Sequence, residues 1–398
     1  MGLMSNDTGA AGMTGLWAGA TGWLRSTWAA GESWMLDSRK ASYGVAVLRI
    51  GFGLVIAVQL VANWGDRSLA WGAGRSFAQG RVEVDEFPSW LDTFFNGSAP
   101  PWAFDLQYLA LIALSVLLVL GWRSRIVIPV LLVLYIALFR TNAYIGDGGI
   151  QLMRMVLLYM VFVDTSGRWS LDARRRRAAE AAGKPSRSAS WAWLATLLHN
   201  GAVVLIAFQI FVVYVASAMY KIQGGMWQHG TAIYYVFQLD EFSTWPALTE
   251  VMGRSGVLIA ILSYSAVFVQ LFFPFLLLRR STRILALVAI TGMHLGIGVL
   301  MGLMYFSMTM IAIDAIFIRD VTYQAVERRL APVLRRGWDR VRRRPATPSA
   351  PASPGGDGVL QPVGAVTGPG SDGTDEAEES STSHPSATPP RTTMPAGS

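Results

Sequence analysis

The chain has 398 residues, 52% of them hydrophobic and only 15% charged, with no cysteine. Soluble domains carry about 25% charged residues, so this composition argues against a water-soluble fold and for lipid as the favoured solvent. The missing cysteine removes disulfides, iron–sulfur clusters, thiolate metal sites and cysteine nucleophiles, and the net charge of +7 sits in short basic runs beside apolar segments, a distribution of membrane topology signals and not of nucleic-acid binding.

In chain order, residues 1–41 lack the continuous apolar stretch of a secretory signal, but Trp17, Leu24, Trp28 and Met35 fall on one helical stripe, which predicts an interfacial helix. Residues 42–319 follow as a transmembrane block. A span needs about 20 mostly apolar residues. Such stretches run through Tyr43–Asn63, Leu106–Trp122, Ile126–Tyr144, Ile150–Val163, Gly201–Tyr220, Val257–Leu278, Ile284–Gly302 and Leu303–Ile318, which predicts an all-α polytopic bundle of about eight spans. The 15 Trp and 12 Tyr suit its two interfaces with water. Basic residues occupy alternate connections, at Arg39 and Lys40, Arg123 and Arg125, Arg174 to Arg177, and Arg279 to Arg283, while Asp85, Glu86, Asp92, Asp147, Asp240 and Glu250 occupy the others. The positive-inside rule then predicts a multi-pass protein of the cell membrane with both termini in the cytoplasm. Residues 320–344 read as a basic amphipathic helix at the cytoplasmic surface, with Leu330, Val333, Leu334, Trp338 and Val341 on its apolar side. Residues 345–398, rich in Pro, Ser, Thr and Gly, read as a disordered tail.

Polar residues inside spans carry the information, because a charge at membrane depth costs at least a few kcal/mol and demands a partner or a water-filled cavity. Arg49, next to Gly51 and Gly53, reads as a lock between two helices through a buried ion pair, with Asp314 as one candidate partner. Arg154 follows Asp147, which stands in the glycine turn Gly146-Asp-Gly-Gly; that turn is either a plain connection or the mouth of a polar cavity. Tyr214, Ser217 and Lys221 share one helical face. Lys221 reads either as a lysine snorkelling to the headgroups or as a partly desolvated amine able to act as a base. His294, on a stripe with Thr291 and Gly298, is either a packed core histidine or a functional imidazole. The four His are scattered, and no metal or nucleotide motif accompanies these residues.

The segment Tyr214-Val-Ala-Ser-Ala-Met-Tyr-Lys221-Ile-Gln-Gly-Gly-Met-Trp227-Gln-His-Gly230 resembles the signature of the HTTM domain, the membrane domain of vitamin K-dependent γ-carboxylases and of bacterial relatives including sporulation-delaying protein B. Asn142 to Asp147, Phe162-Val-Asp164 with Trp169-Ser-Leu-Asp172, and His294 through Phe306 to Asp314 resemble further blocks of that family. In the carboxylases the lysine matching Lys221 is the proposed base toward a reduced quinone, so the resemblance assigns that role to Lys221. The carboxylases continue into a large lumenal domain where this sequence has a basic helix and a tail, and the histidine they bear near Asp147 is replaced here. The resemblance is therefore to the bacterial branch.

Two functions follow as expectations. The first is a membrane enzyme with Lys221 and His294 as catalytic groups and Tyr214, Ser217, Trp227 and Asp147 around the substrate, taking a reduced isoprenoid quinone or similar membrane lipid. Arg49, Arg154 and Asp314 are then structural. The second is a non-catalytic factor that holds a secreted peptide or partner membrane protein for maturation or assembly, through the aromatic loops Trp64–Pro101 and Trp227–Trp245. Transport is a weaker third reading, since no inverted repeat is visible.

Overall fold

A computed structural model describes residues 22–23, 25–72, 89–95, 100–183 and 191–342, and among these the regular structure is helical without a strand. Each of the eight apolar stretches is a helix. In chain order these are α1 (Ser42–Ala62), α2 (Pro101–Leu120), α3 (Ser124–Arg140) and α4 (Gly148–Met160), then the basic surface helix α5 (Leu171–Ala181), then α6 (Ala192–Ile222). Two short helices, α7 (Ala232–Phe237) and α8 (Pro246–Gly253), precede α9 (Gly256–Leu276), α10 (Arg280–Leu300), α11 (Met304–Asp314) and α12 (Asp320–Arg342). Five of them, α1, α2, α6, α9 and α10, are long and apolar enough to cross a bilayer. Their outward side chains, among them Phe208, Phe275 and Val288, are exposed, a surface suited to lipid. The protein is a helical membrane bundle.

Small residues set the packing, as expected where lipid offers no hydrophobic drive for helix association. A Cβ at Gly53 would stand 2.8 Å from the Ser115 carbonyl of α2, and one at Gly51 would stand 2.6 Å from the Ala312 Cβ of α11. These contacts hold α1 between α2 and α11, while α6 pairs with α9 and α10 with α11.

Polar groups satisfy the helix ends that packing exposes. Asp320 accepts from the Ser42 and Tyr43 amides, both at 3.1 Å, and so caps α1 from across the sequence. Tyr43 also donates to Glu327 at 2.8 Å and stacks on Tyr323, so the first turns of α12 dock onto the bundle. Residues 25–36 form a helix whose C-terminal carbonyls are met by α6: Asn200 Nδ2 donates to Met35 at 2.8 Å and to Ser38 at 2.9 Å. Trp28 on that helix is exposed, consistent with an interfacial position, whereas Trp17 and Leu24 lie outside the described residues. So do the tail 345–398 and much of the loop 73–99.

The structure corrects the reading of Arg49. The side chain is fully buried, and among the described residues no carboxylate forms an ion pair or hydrogen bond with it. It donates instead to backbone carbonyls: Nε to Thr165 at 3.0 Å, Nη1 to Val119 at 2.6 Å and to Leu118, and Nη2 to Trp169 at 2.7 Å. The physical reason is that α2 ends there, with Val119 lacking an intrahelical donor and Leu118 met only by the Gly121 amide at the negative end of its dipole, and that Thr165 and Trp169 lie in the irregular segment after α4. Gly121, at φ 65°, turns the chain away directly beside the guanidinium, where a Cβ would stand 2.6 Å from Nη1.

Candidate functional site

Lys221 closes α6, and its amine turns inward. Nζ donates to Ser217 Oγ at 2.8 Å, one turn back, and to Gln270 Oε1 of α9 at 2.6 Å. It also lies 5.4 Å from the centre of the Trp227 ring. Among the described residues no carboxylate lies within ion-pair distance of it. Gln270 is buried and was not anticipated from the sequence; its signal was a lone carboxamide among the phenylalanines and leucines of α9.

Two turns deeper on the same face is Tyr214, fully buried. Its hydroxyl donates to Asp314 Oδ2 at 2.7 Å and lies 3.2 Å from His294 Nε2. With the hydroxyl proton directed to the carboxylate, the contact to His294 is made by its Nε2–H tautomer. The result is a chain from His294 through Tyr214 to Asp314, built by α10, α6 and α11. Both ends are open: His294 Nδ1 and Asp314 Oδ1 are buried with no hydrogen-bond partner, as is the neighbouring Ser307 Oγ. An orphaned buried polar atom costs roughly 1–3 kcal/mol, and two of them stand at the two ends of one hydrogen-bonded chain, which makes this the candidate site. Chemically, such a chain can pass a proton between its ends. Asp314 also lines an apolar groove of about 640 Å³ between α1, α10 and α11, whose walls include Val47, Leu54, Leu287 and Met308.

The remaining expected residues fall elsewhere. Asp147 is the N-cap of α4, accepting from the Ile150 amide at 2.8 Å, which is the plain reading of its glycine turn. Arg154 donates to Gln151 on its own helix. Asp314 is no partner of Arg49; it belongs with Tyr214 and His294. Tyr214, Ser217 and Lys221 share one face of α6, His294 of α10 meets Tyr214, Trp227 lies beside Lys221, and Asp314 contacts Tyr214 in place of Arg49.

At the other end of the bundle, outside the spans, lies a basic basin. Asp164 follows α4, pairs with Arg39 and accepts from Ser166 Oγ at 3.1 Å. Burial alone would raise its pKa, but Arg39, then Arg176, Ser166 and Arg125 outweigh this and hold the carboxyl below its ordinary value.

A family model for the HTTM domain matches residues 39–320. No curated protein and no solved structure matches the chain.

Proposed function

The chain belongs to the HTTM domain family, and we propose that it is a multi-pass protein of the cell membrane that takes an amphipathic, lipid-derived molecule from the bilayer and accepts a proton from it at Lys221. One observation supports this above the others. The Lys221 amine spends its hydrogen bonds inward on two neutral oxygens, Ser217 Oγ and Gln270 Oε1, with no carboxylate beside it. A lysine that merely snorkels would extend its ammonium into water. An amine held by neutral groups, on a stem in an apolar wall, is instead available in its free-base form to take a proton. The resemblance of the Lys221 block to the γ-carboxylases suggests a reduced isoprenoid quinone as the ligand class. A phenol of that kind needs one basic partner for its hydroxyl and an apolar surface for its tail. Tyr214, His294 and Asp314 would carry the proton onward.

The test is spectroscopic. Purified protein in nanodiscs is titrated with a reduced isoprenoid quinone, and the absorbance band of its ionised form is followed. The wild type should produce the band on binding. Lys221→Arg keeps the positive charge but cannot accept a proton at accessible pH, so it should bind without the band, and Lys221→Ala should behave likewise. A band that survives in Lys221→Arg, or a failure of the wild type to bind, would sink the proposal.

A second reading rests on the segment after Lys221, where Tyr234, Tyr235 and Trp245 are 41%, 51% and 55% exposed. Amphipathic aromatics on short helices make adhesive surface, which favours a factor that holds a secreted peptide or partner protein for maturation. Such a role would tolerate Lys221→Arg and fail on loss of these aromatics.

A further inference from the structure

We propose that the basin at the basic end of the bundle is a binding site for a phosphate group. It is a cavity of about 760 Å³ built by four separate stretches of chain: Arg39 ahead of α1, Arg123 and Arg125 at the turn into α3, Asp164 and Ser166 after α4, and Asp172, Arg175 and Arg176 on α5. Five guanidinium groups face two carboxylates, an excess of three positive charges in one enclosure.

The two carboxylates offset part of this charge and leave the excess of three. Asp164 is taken by Arg39, and Asp172 Oδ2 accepts from the Ser124 amide at 3.3 Å, at the start of α3. Arg176 is held by Ser166, through Oγ at 3.1 Å and the carbonyl at 2.6 Å. Arg123 lies against Trp122, 5.0 Å from the ring centre. Arg125 and Arg175 make no hydrogen bond to another described residue. Arg123, Arg125, Arg175 and Arg176 are exposed, so water screens part of their mutual repulsion, and an anion entering the volume would relieve the remainder. Basic loops on a membrane protein ordinarily spread their charge into solvent, and the convergence of separate segments on one cavity is what sets this place apart.

The chemistry of the walls selects the anion. Guanidinium groups bind phosphate oxygens in pairs of parallel hydrogen bonds, and several of them can surround the three or four oxygens of one phosphate. The rim carries Ile126, 60% exposed at the first turn of the apolar helix α3, so the mouth opens beside the bilayer. Basic pockets at the ends of transmembrane helices are suited to anionic lipid headgroups, and a lipid phosphodiester and a free phosphate share the chemistry read here.

The experiment uses the full chain and separates the two sources. Its thermal unfolding midpoint is measured in phosphatidylcholine nanodiscs, in the same nanodiscs containing phosphatidylglycerol, and in phosphatidylcholine with inorganic phosphate against chloride at equal ionic strength. A rise with phosphatidylglycerol identifies a lipid headgroup, and a rise with phosphate alone identifies a free ion; either supports the site. The double variant Arg125→Gln/Arg175→Gln should keep the midpoint in chloride and lose the rise, with apparent affinity lower by about tenfold or more. Arg279→Gln/Arg280→Gln, on a different basic turn, should keep the rise. The proposal is overturned if neither anion raises the midpoint, if the rise survives in the basin variant, or if the control variant loses it equally. Should the double variant fail to fold, the single Arg175→Gln protein, altered only on the surface helix α5, carries the same comparison.

Discussion

Two buried polar sites in this bundle are made of similar material and finished differently. At Arg49 the guanidinium is enclosed and four carbonyl oxygens answer it. At Tyr214 the hydroxyl is answered on both sides, but the groups beyond it, His294 Nδ1 and Asp314 Oδ1, end in nothing. A closed network contributes to the fold, because each member would cost desolvation if left alone. An open one carries a cost that the fold does not recover, and such costs are retained at functional sites. Closure, more than burial, distinguishes Arg49 from the candidate cluster around Tyr214.

If that comparison holds, the largest loss of stability should come from the closed site. Arg49→Ala leaves the carbonyls of Val119, Thr165 and Trp169 without this donor and Leu118 with only the Gly121 amide, and a loss of several kcal/mol, about 1–3 kcal/mol for each stranded carbonyl, is expected. Arg49→Lys should recover little, since one ammonium cannot span four acceptors in a planar fork. Thermal unfolding followed by tryptophan fluorescence reads both, and a lysine variant as stable as the wild type would mean that the charge alone suffices there.

The open site should lose less, and unevenly. Tyr214→Phe removes the only donor to Asp314 and strands its second oxygen, for about 1–3 kcal/mol. Asp314→Asn keeps an oxygen for the Tyr214 hydroxyl, so its stability should stay within about 1 kcal/mol of the wild type, while proton transfer through the chain is lost. If Asp314→Asn proves as damaging as Arg49→Ala, the cluster is structural and the contrast fails.

Much of this was legible in the sequence, for reasons that differ by residue. Helix positions followed from apolar runs of bilayer length, and the shared face of Tyr214, Ser217 and Lys221 from helical periodicity alone. Partner choice was not legible. Arg49 was paired with a carboxylate because a buried charge suggests its opposite, yet the end of α2 supplies a partner that has no side-chain signature, being backbone. Asp320 capping α1, and Asn200 holding the helix 25–36, are contacts across more than 160 residues that no local pattern encodes. The basin was visible only as topology signals; that its arginines converge on one cavity required the fold.

The smallest effect expected is at the pair formed by Arg39 and Asp164, between the closed and open extremes: a carboxylate with a partner, but with side chains 34% and 13% exposed. Asp164 titrates below its ordinary value, because Arg39 and its neighbours outweigh the burial that would raise it. A carboxyl depressed in the folded state stabilises the protein above its unfolded pKa of about 4, and the contribution is lost as the pH falls through the folded value. Partial exposure screens the pair, so the contribution at neutral pH should be no more than about 1 kcal/mol. Comparing wild type with Asp164→Asn from about pH 6 to pH 3 isolates it: the difference in unfolding midpoint should be constant at the upper end, shrink at the lower end, and diminish with added salt. A difference that grows on acidification would mean burial governs Asp164, and the basin would then hold one fewer negative charge than the structure assigns to it.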